Sequence, residues 1–247
     1  MTGARIARIN VTPVKSLRLL HPPEIELLPE GAREDRRFLL VDPDGRLYNG
    51  KRDTTLVRTG AVWDATSRRL ALTLPGGEIV EDEVFSGAAT AVEVYGRRLG
   101  GRIVEGPWAG ALSDLAGRML TLVERDDGVW ATDARPATLV SRGSLDTLDG
   151  DGRRFRMLLE LDGLEAHTED DWRNRQIRVG GALLTVGDPT PRCAVPSASP
   201  DTGVPDRDVL RELLEQRGPI DGEPCFGVYA EVIEPGIVRV GDLVEVI

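Results

Sequence analysis

Apolar and polar residues alternate along much of the chain, with a period of two residues. The alternation is clear in RLALTL (69–74), in TAVEVYG (90–96) and on both sides of the Gly-Gly pair in QIRVGGALLTVG (176–187). A period of two predicts half-buried β-strands, and two such runs around a glycine pair predict a β-hairpin. The C-terminal segment 226–247 predicts three further short strands, interrupted at Pro235-Gly236 and at Gly241-Asp242.

Helical periodicity is confined to a few segments. Residues 206–217 place four apolar side chains on one helix face, with Asp206 as a candidate N-cap and Gly218 after the last turn. Shorter helices are predicted at 111–119 and 143–150. The proline-rich stretch 187–208 predicts an irregular loop, and loops of that length in compact domains are usually functional or disordered.

These elements predict an α+β fold that is mainly β, with two β-barrel-like domains and a few short helices. The glycine-rich, non-periodic segment 96–110 suggests a boundary, so we expect domains at 1–105 and 106–247. We expect the segment around Cys193 to lie at the mouth of the second barrel and to face Lys15, Ser16 and Arg36 across the interface, because clefts between domains commonly bind ligands.

Composition excludes several function classes. The 247 residues carry a net charge of −10 and show no dense basic stripe, so we expect no nucleic-acid partner. No apolar run approaches the roughly 20 residues that a membrane span needs. The first residues have no apolar export segment, so a cytoplasmic protein without a membrane partner is expected.

The two cysteines are too few for a disulfide scaffold or a four-cysteine metal site. Cys193 lies in the proline-rich stretch directly after Arg192, whose positive charge favours the thiolate that binds metals and attacks electrophiles. A small buried apolar side chain is the alternative interpretation of Cys193. Cys225 leads into a predicted strand and is expected in the core.

Basic side chains gather at predicted strand ends near the N-terminus. Lys15 and Ser16 end the first strand, Arg36 precedes the strand FLLVD, and Lys51 follows the turn DPDG. Such groups suit an anion such as a phosphate, although a solvated charged edge would give the same pattern.

Five strings occur in one order: PVKSL, DRRFLLVDPDG followed by a basic pair, PRC, SPDTG, and FGVYAEV with PGIVRVGDLVEV. In this order they resemble the two-domain form of the MOSC family, which includes the mitochondrial amidoxime-reducing components and their bacterial relatives. The resemblance implies an N-terminal β-barrel domain followed by the MOSC domain. It also implies a molybdenum cofactor (molybdopterin), with Cys193 as metal ligand and catalytic residue. The residues at the family's cofactor-binding positions are Lys15, Ser16, Arg36, Lys51, Asp133, Arg156, Arg192, Asp201 and Thr202.

The sequence departs from the family pattern near the implied metal. Met157 and Leu158 stand where the family has Pro and a cofactor-facing Asn, and Lys51 replaces an Arg. Pro196 and Ser197 replace a Thr pair. The anion-binding end of the implied pocket is therefore closer to the family pattern than the surroundings of the metal.

The resemblance implies an oxidoreductase that removes oxygen from small N-hydroxylated substrates at molybdenum. No cysteine-rich electron-transfer module follows Ile247, so a separate electron-donor protein is expected. Two alternatives stay open at this point. A metal-free protein could carry persulfide sulfur on Cys193 in a sulfur-transfer pathway, or a barrel could bind a small anion or a partner without catalysis.

Overall fold

Eighteen strands and three short α-helices form the part of the chain that a computed structural model describes, residues 3–148 and 150–247. The helices are α1 (Trp108–Ala116), α2 (Arg142–Asp146) and α3 (Val209–Arg217). The strands are β1 (Arg5–Ile9), β2 (Glu24–Leu28), β3 (Gly31–Ala32), β4 (Phe38–Val41), β5 (Leu47–Tyr48), β6 (Gly60–Asp64), β7 (Arg69–Thr73), β8 (Ile79–Glu83), β9 (Phe85–Val94), β10 (Arg97–Glu105), β11 (Thr121–Arg125), β12 (Ala137–Ser141), β13 (Leu159–Asp162), β14 (Gln176–Val179), β15 (Ala182–Pro191), β16 (Cys225–Glu234), β17 (Gly236–Arg239) and β18 (Val244–Val246). The expected α+β, mainly β fold class is confirmed.

A seven-stranded sheet in the order β1-β13-β12-β16-β15-β14-β18 curves into a nearly closed barrel. The two outer strands, β1 and β18, lie close together. Arg5 of β1 forms a bridge with Leu243, directly before β18, and the Ile6 N–H donates to Asp242 O at 2.9 Å. Alternate side chains of these strands point inward and form one apolar core that includes Leu139, Leu159 and Val228.

A five-stranded sheet, β5-β4-β11-β10-β9, forms the centre of the other half of the molecule. Its two faces pack into separate cores. Phe38 and Leu40 face Trp108 of α1, whereas Leu39 and Val41 face Val92 and Val94 of β9. Both faces of β4 are therefore buried, which explains why the run FLLV is apolar at every position.

Strand pairing links the two halves of the sequence. β1 pairs with β13 and joins a seven-stranded sheet whose other strands come from the second half. Conversely, β17 of the second half pairs with β2 and forms a three-stranded sheet with β2 and β3. β11 in turn pairs with β4 and β10. The division at residues 105 and 106 stays a prediction, and hydrogen-bonded strands cross it in both directions.

The predicted hairpin at 176–187 is confirmed, because β14 and β15 pair antiparallel around Gly180-Gly181. The three C-terminal strands are also confirmed, as β16, β17 and β18. The prediction for α3 was right in its C-terminus at Gly218 but wrong in its N-cap, which is Asp208 rather than Asp206. The helices predicted at 111–119 and 143–150 begin and end earlier, at Trp108–Ala116 and Arg142–Asp146. Residue 149 of the second prediction lies outside the described residues.

The prediction that residues 187–208 lack regular structure was wrong on both sides of Cys193. β15 continues through Pro189 and Pro191 by pairing with β16, with shifts of register at both prolines. A single turn of 3-10 helix, Val195–Ser197, follows Cys193. Proline is tolerated here because the pairing with β14 has ended at Thr185, so this part of β15 needs fewer N–H donors.

No helix among the described residues is long and apolar enough to cross a membrane.

A buried carboxylate joins three elements of the first half. Glu124 on β11 accepts hydrogen bonds from Arg37 Nη2 at 2.7 Å, Arg68 Nη2 at 2.8 Å and Ser86 Oγ at 2.6 Å. Burial raises the pKa of Glu124, but the hydrogen bonds from Arg68, Ser86 and Arg37 outweigh it and lower the pKa to about 2. The ionised form therefore stabilises the fold.

We expect Glu124→Gln to lower the free energy of unfolding at pH 7 by about 2–3 kcal/mol. The carboxylate's contribution is complete above the ordinary glutamate pKa and is lost as the pH falls towards 2. The difference between wild type and variant should therefore shrink in denaturant titrations between pH 7 and pH 3. Glu105→Gln, on the exposed side of β10, is the control; an equal effect of both variants, or a difference that grows in acid, would contradict this account.

Candidate functional site

A cavity of about 410 Å³ lies where segments of both halves of the sequence meet. Eight of the residues predicted from the sequence line it: Lys15, Ser16, Arg36, Lys51, Asp133, Arg156, Arg192 and Cys193. The structure thus brings the cysteine and the basic residues together around one space, as expected. Their chemical roles stay predictions.

Three of these residues have an unusual backbone conformation. Ser16, Arg36 and Arg156 have φ angles of 76°, 50° and 54°, in the left-handed region that side chains with a Cβ rarely adopt. Backbone hydrogen bonds fix the chain at two of them: the Arg36 N–H donates to Thr12 O at 2.7 Å, and the N–H of Lys15, next to Ser16, donates to Phe38 O at 2.9 Å. Strained residues of this kind gather at ligand sites, where the surrounding structure fixes them.

Lys15 connects the N-terminal segment to the loop before β12. Its Nζ donates to Ala131 O and to Asp133 Oδ1, both at 2.7 Å, and its side chain is 7% exposed. Burial lowers the pKa of Lys15, and the nearby guanidinium groups of Arg36 and Arg156 lower it further, whereas Asp133 raises it. Burial alone raises the pKa of Asp133, but Lys15 reverses this and the net pKa is lowered.

Two further cations lie beside Lys15. Arg36 is paired with Asp35, while Arg156 donates from Nη2 to Leu17 O at 2.7 Å and has no carboxylate within ion-pair distance in the described residues. Burial, followed by the repulsion from Arg36, lowers the pKa of Arg156 to about 9. The half-buried guanidinium of Arg156 has no counterion, which is electrostatically costly, and a bound anion would relieve that cost.

Ser16 offers a neutral donor at the same place. Its Oγ accepts a hydrogen bond from the Gly50 N–H at 3.0 Å. Among the described residues nothing accepts the hydroxyl hydrogen, so it is available to a ligand.

Cys193 follows the end of β15 and is half-buried in the cavity wall. The backbone before it is fixed by the Arg192 N–H, which donates to Pro224 O at 2.8 Å. The Arg192 guanidinium donates to Phe155 O at 2.5 Å and to Met157 Sδ at 3.2 Å. Burial lowers the pKa of Arg192.

The cavity has a strongly positive lining although the whole chain carries a net charge of −10. One carboxylate, Asp133, lines it together with eight cationic side chains: Lys15, Arg36, Lys51, Arg135, Arg153, Arg154, Arg156 and Arg192. In the described part of the chain, Lys51, Arg156 and Arg192 have no ion-pair partner. This balance favours an anionic ligand.

Three buried polar atoms of residues that line the cavity also have no partner within the described residues. They are Arg154 Nε, Thr190 Oγ1 and Arg192 Nε. Buried polar groups are nearly always hydrogen-bonded in proteins, and a polar ligand in the cavity would provide partners for these atoms. Within the described ranges, no cluster of three or more His, Cys, Asp or Glu side chains could hold a metal ion.

The structure does not bring Asp201 and Thr202 to the cavity. Asp201 accepts hydrogen bonds from Arg153 at 2.7 and 3.1 Å, and Thr202 Oγ1 accepts from the Val204 N–H at 3.2 Å. The neighbouring Gly203 packs instead against the backbone of Thr54, whose Oγ1 donates to Gly203 O at 2.5 Å. This string therefore holds the loop after Cys193 against the first half of the chain.

Met157 and Leu158, the departures from the family pattern, lie in different places. Met157 lines the cavity and packs beside Gly227, whose φ of 68° and lack of a Cβ make room for it. Leu158 belongs to the core of the seven-stranded sheet and does not line the cavity. Met157, which stands where the family has a proline, thus places a sulfur atom in the cavity wall that contacts Arg192.

Several lining residues were missed from the sequence, among them Asn49, Tyr95, Thr190 and Tyr229. For Tyr95 the usable signal is the following Gly96, because a glycine at the end of an alternating run favours a hairpin turn. Thr190 and Tyr229 lie within long strands, where the sequence does not indicate which face reaches a cavity.

Two family models match the chain. The MOSC N-terminal beta barrel domain matches residues 3–118, and the MOSC domain matches residues 126–245.

Curated relatives match nearly the whole chain at low identity. Mitochondrial amidoxime-reducing component 1 of Xenopus laevis is 25% identical over 281 residues, covering 96% of this chain and 80% of its own length. The human protein of that name is 23% identical over 279 residues, with 96% and 81% covered. Among solved structures, the YUAD protein from Bacillus subtilis aligns over 99% of this chain and 96% of its own, with a TM-score of 0.47 and 12% identity.

We expect pyrophosphate to bind in the cavity and to raise the midpoint of thermal unfolding. Lys15→Met should weaken that binding at least about tenfold in calorimetry, because it removes a charge-assisted hydrogen bond and leaves Asp133 unpaired. Arg98→Met removes an exposed positive charge on β10 and is the control. Equal affinities of wild type and Lys15→Met would contradict an anion site at Lys15.

Proposed function

Because the chain belongs to the MOSC family in its two-domain form, we propose that it is an oxidoreductase that holds a molybdenum cofactor and reduces small N-hydroxylated compounds. The observation that carries the proposal is a single cavity with one thiol and a buried cationic cluster. The relatives named amidoxime-reducing components support the substrate class.

The residues of the cavity fit the cofactor that the family implies. Its phosphate is an anion, and Lys15, Ser16 and Arg36 form a buried cationic and hydroxyl-bearing end that suits it. Its metal is bound by sulfur, and Cys193 supplies one soft thiolate ligand. The unpartnered Thr190 Oγ1 and Arg192 Nε would find polar partners on the pterin.

The bound cofactor would supply a two-electron centre that accepts the oxygen atom of an N–OH group. The net reaction converts R–NH–OH, two electrons and two protons into R–NH₂ and water. The electrons would come from a separate electron-donor protein, as the family implies.

The protein's own part in this chemistry is to bind and to orient. Lys15 is held by Ala131 O and Asp133, so its third N–H is directed by two fixed bonds. Arg192 is fixed by Phe155 O and Met157 Sδ, which keeps a positive charge in the wall next to the candidate metal ligand. Preorganised charge of this kind needs no rearrangement when a ligand binds.

We expect protein purified from a host that makes the cofactor to contain about one molybdenum atom per chain. Cys193→Ser should lose most of the metal and the reduction of amidoximes, because a hydroxyl is a poor substitute for a soft thiolate ligand. Elemental analysis and an assay with benzamidoxime measure both.

Cys225→Ser is the matched control, because Cys225 is buried and its Sγ contacts Ile220 O away from the cavity. This variant should keep wild-type molybdenum. A well-folded wild type without molybdenum, from cells that load another molybdenum enzyme, would contradict the proposal. Equal molybdenum in wild type and Cys193→Ser would contradict the role of Cys193.

A further inference from the structure

Tyr95 stands at the tip of the β9–β10 hairpin and reaches the cavity from the first half of the chain. We propose that its hydroxyl donates a hydrogen bond to the oxygen of the N-hydroxylated substrate beside Cys193. This inference rests on the proposed function and adds to it a residue that positions the substrate.

The hairpin places a tyrosine where the backbone disfavours one. Val94 pairs with Arg97, so Tyr95 and Gly96 form a two-residue turn, with φ angles of 47° and 79°. Turns with two positive φ angles favour Asn, Asp or Gly at the first position. A bulky residue there is strained, which points to a role other than turn formation.

The hydrogen bonds of Asn49 determine the direction of the Tyr95 O–H. Asn49 Oδ1 accepts from the backbone N–H of Lys51 at 3.0 Å, and a backbone N–H can only donate. The amide is thereby oriented, and its Nδ2, also only a donor, faces Tyr95 Oη at 2.5 Å. Tyr95 Oη must accept this bond, so its own hydrogen points elsewhere, and no acceptor for it occurs among the described residues.

The ring itself is held in place from one face. Lys51 Nζ lies 4.1 Å from the centroid of the Tyr95 ring, a cation–π contact. On the other side of the turn, Arg97 Nη2 donates to Thr132 O at 2.6 Å, which ties the hairpin to the loop that carries Asp133. The Tyr95 ring therefore has a fixed position relative to the cavity and to the loop that carries Asp133.

Tyr95 is much more exposed to solvent than the residues at the predicted anion-binding end of the cavity. Tyr95 is 44% exposed, whereas Lys15, Ser16 and Arg36 are at most 8% exposed. Tyr95 therefore lies at the mouth, where a substrate enters, and the buried end remains for the cofactor. Burial and the charge of Asp133 raise the pKa of Tyr95, so the hydroxyl keeps its proton at neutral pH and remains a donor.

Tyr95→Phe keeps the ring and removes only the hydroxyl. We expect the KM of this variant for benzamidoxime to rise about three- to tenfold, as for the loss of one hydrogen bond. The Kd of benzamidoxime, measured on the oxidised variant without an electron donor, should rise by the same factor. Molybdenum content should stay at the wild-type value. Tyr48→Phe is the control, because Tyr48 does not line the cavity and its hydroxyl donates to Asp53 at 3.1 Å.

A second readout does not depend on turnover. The chain has three tyrosines, so protein labelled with ¹³C at tyrosine Cζ gives three resonances. The resonance that is lost in Tyr95→Phe is that of Tyr95. Benzamidoxime should shift the Tyr95 resonance in the oxidised enzyme and leave that of Tyr48 unchanged. Tyr95→Asn, which suits the turn, should keep the thermal stability yet lose substrate affinity.

Wild-type affinity in Tyr95→Phe, or a Tyr95 resonance that responds to cofactor loading but not to benzamidoxime, would overturn the inference. Failure of the proposed function is distinguishable, because it would appear as absence of molybdenum from the wild-type protein itself.

Discussion

The site depends on a buried ammonium group that needs partners from distant sequence. Lys15 follows the first strand, yet both of its side-chain hydrogen bonds go to the loop at 131–133. A buried lysine without such bonds would be strongly destabilising, so the loop and the N-terminal segment hold each other in place. The same loop receives Arg97 from the hairpin that carries Tyr95. Lys15 and Arg97 together thus fix the positions of three segments around the cavity.

The charge of the cavity is opposite to that of the molecule as a whole. An acidic chain has concentrated eight cationic side chains around a single space, and several of them have carboxylate partners on the side away from it, as Arg153 and Arg154 do with Asp201 and Asp206. These outer pairs orient the guanidinium groups. The cations without partners, Lys51, Arg156 and Arg192, leave a positive field inside. Such a field attracts an anionic ligand and excludes a cationic one.

Local patterns predicted the strands, the hairpin at 176–187 and the end of α3, because period and turn chemistry act over a few residues. The same patterns failed at Pro189 and Pro191, where pairing with β16 outweighs the poor strand propensity of proline. The family resemblance predicted that Lys15, Arg36, Cys193 and Asp201 share one site. The first three line the cavity, whereas Asp201 lies outside it. Thr190 and Tyr229 could not be predicted, since the face that a long strand presents depends on bulges and register set by tertiary contacts.

The central claim is that one ligand spans the cavity from Cys193 to the Lys15 end. A crystal structure of protein made in cells that produce the cofactor tests it most directly. The account predicts continuous density with a metal at Cys193 Sγ and a phosphate at Lys15, Ser16 and Arg36. A well-ordered cavity without such density, or a metal bound elsewhere than at Cys193, would contradict it.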